Sequence, residues 1–351
     1  MYEIDKNKKL VPADNPCFDY MGRIDFSDKN APMLIWAGSR IDIRFGGTSC
    51  GVVIQDIPFQ EFTHFAVLVD GQMQKFFLKH SGEEELYIAT EKLENTEHTL
   101  TVLKTEAANN YFRFGGIVID KDAEVFPAGN KYDMNIEVYG DSVSAGEVTE
   151  ALYFEGHADP LGHKNKLDNS WFAYPQILGR MLNARVHDIA QGGIALFDKT
   201  GYFCAHNLTG MESCYDKLAY SPDYEKSEWD FSRYTPDWVI IAIGQNDNFP
   251  DPECIHRADY RRRWKDKYIE ILRKLMSVYP KARFILTLTL IIHDKEWDCA
   301  LDEIVGEVNS GRVAHYTFRR NGAATPGHPR ASEQAEMAAE LRDYILAASS
   351  K

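Results

Sequence analysis

The sequence predicts an α/β protein in two parts: an all-β sandwich or jelly roll over residues 1–127, then a three-layer α/β/α domain over residues 128–351. Three observations predict it. The first third alternates apolar and polar residues with a period of two and shows no helical period before about residue 125. Beyond that point apolar strands alternate with amphipathic helices, the pattern of a parallel sheet covered on both faces. Between the two lies PAGNKYD, residues 127–133, with the Pro, Gly and Asn of a connector. At 351 residues the chain exceeds the usual size of one domain, in keeping with this division.

Ile41, Ile43 and Phe45 alternate with Asp42 and Arg44, and Leu100 and Val102 alternate with Thr99 and Thr101. Each set reads as a half-buried antiparallel strand. Turn signals are expected at Gly46-Gly47, Asp70-Gly71, Asn109-Asn110 and Gly115-Gly116. In the second part, strands are predicted over residues 135–139, 185–189, 238–243, 283–290 and 313–318. Helices are predicted over 170–182, 259–278 and 332–346, the last with Ala, Leu, Ile and Met along one stripe. No internal repeat is present.

Hydrophobic residues make up 44% and aromatics 12%, enough for a sizeable core and unlike a disordered chain. The apolar run at 284–292 is broken by Thr and is shorter than the roughly 20 residues a membrane helix needs. The opening MYEIDKNKKLVPADNP places lysines with no apolar stretch behind them, so no secretory signal is read and a cytoplasmic location is expected. A formal charge of −14 argues against a nucleic-acid partner or an anionic membrane surface. Arg261, Arg262 and Arg263 sit in a helical pattern of both signs and read as a solvated face. The six cysteines (Cys17, Cys50, Cys204, Cys214, Cys254, Cys299) have neither CxxC spacing nor the density of a disulfide scaffold, so free buried thiols are expected. His157, Asp159 and His163 match no metal-ligand spacing, and no metal is expected.

Four positions carry the chemistry. The first parallel strand runs through Tyr139 into Gly140, Asp141 and Ser142. A Ser at a strand-to-helix turn presents its hydroxyl at the carboxyl edge of the sheet, where open α/β folds place their sites. Its competing role is a helix N-cap. A strict G-x-S-x-G elbow is ruled out, because Ser144 holds the fifth position. Gly192 follows the second strand, where a glycine lets a backbone N–H approach a substrate oxygen closely or simply makes a turn. Asn246, in Gly244-Gln245-Asn246-Asp247 after the third strand, offers an amide N–H₂ to the same edge, an Asx-turn being the alternative. His328 lies between Gly327 and Pro329 just before the last helix, held on a tight loop as a general base would be.

These blocks, GDS at 140–142, Gly192, GxND at 244–247 and His328-Pro329, resemble the four signature blocks of the SGNH (GDSL-type) hydrolases. Gly22-Arg23-Ile24, Trp36-Ala37-Gly38 and the segment HTLTVLKTE at 98–106 resemble the jelly-roll module of carbohydrate esterase family 2, so the resemblance spans nearly the whole chain. It implies a flavodoxin-like catalytic domain and a serine esterase that removes acetyl groups from xylan or related sugars, without metal or cofactor. It further implies Ser142 as nucleophile, His328 as base, and the Ser142 N–H, Gly192 N–H and Asn246 amide as oxyanion donors.

One departure stands out. The Asp commonly found two or three residues before the His is replaced by Pro326 and Thr325. A Ser–His dyad is therefore expected, with a backbone carbonyl of residues 325–327 accepting the Nδ1 proton, as in dyad variants that the family resemblance implies. Asp298 and Asp302 are the competing acids. Trp297 is the aromatic expected beside a sugar, against a role in the core, and Asp141 is a second candidate for substrate contact. Two other readings stay open: a lipid or thioester hydrolase with the same catalytic residues, and a carbohydrate-binding protein with an inert hydrolase site. A homo-oligomer is compatible with the sequence and not specified by it.

Overall fold

The computed structural model describes residues 2–57, 63–202, 209–220 and 227–349. Cys204, one of the thiols expected to be free and buried, lies outside them. Strands β1 (Lys8–Pro12), β2 (Asp19–Met21), β3 (Met33–Leu34), β4 (Arg40–Gly47), β5 (Cys50–Ile57), β6 (His64–Val69), β7 (Gln72–Phe77), β8 (Glu84–Thr90), β9 (Thr96–Lys104), β10 (Tyr111–Asp120) and β11 (Val125–Phe126) form two antiparallel sheets. One has the order β1-β10-β5-β8, with β3 also on β10. The other runs β11-β4-β9-β6-β7, with β2 also on β4. Ile41, Ile43 and Phe45 of β4 share one core with Val52 and Ile54 of β5 and with Phe112 and Phe114 of β10, so the inner faces of the two sheets pack together.

The expected turn at Asp70-Gly71 is a two-residue hairpin: Val69 pairs with Gln72, and both turn residues have positive φ, 49° and 77°. Gly115-Gly116 is not a turn. The pair lies within β10 at a bulge, where the register against β5 shifts between Phe114 and Gly116. A Cβ on Gly116 would run into the carbonyl oxygen of Val11, so a glycine there marks the close approach of β1.

Strands β12 (Met134–Gly140), β13 (Ala184–Ala190), β14 (Trp238–Ala242), β15 (Arg283–Leu286) and β16 (Val313–His315) form a parallel sheet of order β13-β12-β14-β15-β16. Alternate residues feed opposite faces. Ile136, Val138 and Ile240 pack with Leu178, Met337 and Leu341, whereas Tyr139, Val239 and Ile241 pack with Trp264, Leu272 and Ile304. Helices α2 (Tyr174–Met181) and α6 (Ala331–Ser349) thus cover one face, and α4 (Ala258–Val278) and α5 (Glu296–Val308) the other; α1 (Ser142–Ala145) and α3 (Met211–Cys214) are single turns. None of the described helices is long and apolar enough to cross a membrane.

Three expectations are corrected. The helix expected from residue 170 starts at Tyr174 after a separate 3-10 turn, Ser170–Phe172, because Pro175 fits only a helix's first turn. Strand β15 ends at Leu286 rather than at 290; beyond it Thr289 donates its hydroxyl to Gln245 beside the site, 2.8 Å away. Residues 296–308, over which no helix is predicted from the sequence, form α5. Trp297, Ala300, Leu301 and Ile304 recur at helical spacing on its buried face, and Glu296 and Asp298 suit its positive N-terminus.

The two parts share an interface. Met33, Ile35, Trp36 and Tyr111 join the core beneath α4 and α5. Arg23, fully buried, pairs with Glu137 of β12 at 3.1 Å and donates to the Tyr139 hydroxyl at 2.7 Å and the carbonyls of Tyr215 and Lys217. This braces the strand that delivers Ser142.

Candidate active site

With β12 flanked by β13 and β14, the chain turns to opposite sides of the sheet on leaving β12 and β13, which opens a crevice at the carboxyl ends of the strands. Ser142 follows β12, Gly192 follows β13, Asn246 follows β14 and His328 precedes α6. All four line one open cavity of about 460 Å³, together with Gln191, Gln245, Glu147 and Asp168. Ala107 and Asn109, from the loop between β9 and β10, line it too, so the antiparallel sheets supply part of the wall.

Ser142 opens α1, so its N–H has no carbonyl one turn back in the helix to bond. The cap is Asp141, whose Oδ1 accepts from Val143 N at 3.0 Å. The other oxygen of Asp141 accepts from Gln245 Nε2 at 2.6 Å and Asn246 Nδ2 at 3.2 Å. Burial pushes its pKa up to about 6 against those hydrogen bonds. Asp141, expected as a substrate contact, is instead fully buried and absent from the cavity wall, where it braces the Ser142 turn and the Asn246 amide. Asn246 also donates to the Ile194 carbonyl at 3.0 Å, so its amide is held from two sides.

His328 is oriented by an acid that the sequence reading did not assign to it. Its Nδ1 pairs with Asp159 Oδ2 at 2.7 Å, while its backbone N–H donates to Asp159 Oδ1 at 3.1 Å. Arg330, fully buried, donates to the same Oδ1 at 2.7 Å and to the His328 carbonyl at 2.7 Å. A Cβ on Gly327, whose φ is 110°, would collide with the Asp159 carboxylate, so the glycine before His328 makes room for its partner. Burial favours the neutral acid, but His328 and Arg330 outweigh it and hold Asp159 well below the usual carboxylate range. For His328, burial works against protonation, yet Glu147, Asp159 and Asp168 together push its pKa up to about 9.

The dyad expectation is thereby corrected: Nδ1 faces a carboxylate and not a carbonyl of residues 325–327. Neither competing acid reaches it. Asp298 bonds His293 at 3.1 Å, and Asp302 bonds His315 at 2.8 Å. Trp297 is also corrected, being 0% exposed and packed in the core against Trp264 at 5.2 Å between ring centroids. Among the described residues the aromatic at the cavity is Tyr202, 54% exposed and packed against Phe249 at 4.8 Å. No periodicity marks Tyr202 or Asp159; both lie on irregular loops.

This strand order and the placement of Ser, Gly, Asn and His at its carboxyl edge agree with the arrangement that the SGNH (GDSL-type) resemblance implies. Residues 20–128 match the family described as Carbohydrate esterase 2 N-terminal. The chain is 27% identical over 322 residues to cellulase/esterase CelE of Acetivibrio thermocellus, covering 89% of this chain and 36% of that protein. It is 24% identical over 356 residues to an acetylxylan esterase / glucomannan deacetylase of Cellvibrio japonicus, covering 95% and 90%. In structure it is similar to a family two carbohydrate esterase from Clostridium thermocellum in complex with cellohexaose, with TM-score 0.78, 26% identity and coverage of 93% and 98%. The chain thus spans about a third of the length of CelE and most of that of the Cellvibrio enzyme. In sequence and in structure it is similar to family 2 carbohydrate esterases over most of its length.

Proposed function

We propose that the protein is a carbohydrate O-acetyl esterase acting on acetylated xylan fragments or related sugars through a Ser142-His328-Asp159 triad. The observation that carries this reading is the shared cavity of Ser142 and His328, with Asp159 on the far nitrogen of the imidazole. Ser142 Oγ bonds to the acetyl carbonyl carbon as its proton passes to His328 Nε2. The carbon–oxygen bond to the sugar then breaks, and the sugar oxygen takes that proton. Water, deprotonated by His328, attacks the acetyl-enzyme, and acetate leaves as Ser142 recovers its proton.

The oxyanion is received by the N–H groups of Ser142 and Gly192 and the amide of Asn246, which gives up its longer bond to Asp141 as charge develops. Asn246→Ala is expected to lower kcat by about 10²–10³ with little change in KM, measured by steady-state acetate release. Unchanged turnover would take Asn246 out of the oxyanion set.

Residues 1–127 form a jelly-roll domain on this reading and 128–351 the catalytic one, a division supported by the separate core between the antiparallel sheets. The first domain walls the cleft through Ala107 and Asn109, and Tyr202 packs on a sugar face. The likeness to an esterase bound to cellohexaose supports a glycan as ligand.

Acetate release from acetylated xylo-oligosaccharides and 4-nitrophenyl acetate, set beside release from a long-chain 4-nitrophenyl ester, tests the proposal. Turnover of the acetates with the long-chain ester left nearly untouched is expected. A preference for the long chain would favour a lipid hydrolase, and no turnover of any ester an inert, sugar-binding protein.

A further inference from the structure

The esterase reading leaves one group in the cavity unused. Glu147 follows α1, and its backbone N–H donates to the carbonyl of Ser142 itself at 3.0 Å. The next N–H, of Val148, is held by Asp168 Oδ1 at 2.9 Å, so the backbone on both sides of Glu147 is anchored. Its Oε2 stands 3.7 Å from His328 Nε2, the nitrogen that must take the proton of Ser142. The same oxygen lies 2.8 Å from where a Cβ on Gly192 would be, so the carboxylate stands beside that glycine. Among the described residues His328 is the only cation facing this carboxylate, and none donates it a hydrogen bond within normal length. A carboxylate with acceptor capacity to spare, partly open to a cavity of this size, is placed to receive a donor from a ligand.

Resting on the esterase reading, we infer that Glu147 is the specificity-determining residue of the cavity: it accepts a hydrogen bond from a free hydroxyl neighbouring the acetylated one, and that bond draws it away from His328 Nε2. Until then Glu147 favours the imidazolium, which cannot act as base. The groups facing His328 are acidic on every side. Asp159 comes from the loop before α2, Glu147 from the end of α1, and Asp168 and Asp141 from the segments beneath; the nearby cation Arg330 is bonded to Asp159. Among the described residues Glu147 is the one of these acids that both lines the cavity and stands 3.7 Å from His328 Nε2.

His328 must be neutral to act, so activity falls as pH drops through its raised pKa. The limb of kcat/KM reports the free enzyme and that of kcat the complex. With an acetylated xylo-oligosaccharide the kcat limb is expected at least about one pH unit below the kcat/KM limb. With 4-nitrophenyl acetate, which has no hydroxyl to offer, the two limbs coincide. In Glu147→Gln both limbs move down and coincide for both substrates. Turnover of the aryl ester at pH 6 then rises about tenfold for each unit moved, and the preference for the sugar ester falls by about tenfold or more.

Titration of the His328 imidazole by NMR, in wild type and Glu147→Gln and with added xylobiose, gives a readout that needs no turnover. A titration lowered by the substitution and, in wild type, by xylobiose supports the assignment, even if no ester is hydrolysed and the esterase reading itself fails. Limbs, sugar preference and titration all within twofold of wild type in Glu147→Gln would overturn it while Ser142-dependent hydrolysis stood.

Discussion

Ser142→Ala is expected to lower acetate release by about 10⁶ in kcat, to the level left by binding and oxyanion contacts alone. The size of the effect comes from the removal of the atom that becomes acylated, for which His328 and Asp159 have no substitute. Among the described residues no hydrogen bond uses the Ser142 hydroxyl, and the cap on α1 is made by Asp141. The alanine variant should therefore fold, melt at the wild-type temperature and still bind xylo-oligosaccharide by calorimetry. Turnover within tenfold of wild type would mean that another group is the nucleophile and would end the triad reading.

Asp159→Asn is expected to cost about 10⁴ in kcat, the loss seen when the acid of a comparable triad is made an amide. Asparagine keeps the shape and still accepts from Arg330 and from the His328 backbone N–H, so the loop stays in place. Its N–H₂, however, confronts Nδ1 and favours the tautomer whose Nε2 already carries a proton. The acidic limb of the pH profile should also move to lower pH, because one of the carboxylates that raise His328 has lost its charge. Alanine at Asp298 and at Asp302 serves as the control. Both acids are engaged with other histidines, and kcat should stay within threefold of wild type. A loss confined to Asp298 or Asp302, with Asp159→Asn near normal, would return the orienting role to the loop-and-helix region after β15.

The strands of the parallel sheet could be read from sequence because they are buried on both faces and therefore apolar throughout, as in Trp238, Val239, Ile240 and Ile241. Reading them also placed Ser142, Gly192 and Asn246, since each immediately follows such a run. Helix α5 was readable but missed: Trp297, Ala300, Leu301 and Ile304 carry the helical period, and heeding it would have put Trp297 in the core. The bulge at Gly115-Gly116 was misread as a turn, because a glycine pair in sequence does not distinguish a chain reversal from a close approach by another strand.

The sequence by itself determined the order of elements, the carboxyl-edge placement of Ser142, Gly192 and Asn246, and the loop that bears His328. These follow from hydrophobic period and from residues adjacent in the chain. Only the tertiary structure decided that Asp159, 169 residues earlier, orients His328, that Glu147 faces its other nitrogen, and that Tyr202 rather than Trp297 meets the cavity. Each of these is a meeting of loops carried to one edge of a sheet by strands far apart in sequence. A loop residue free of periodic constraint leaves no pattern in the chain that reports which partner the fold will bring to it.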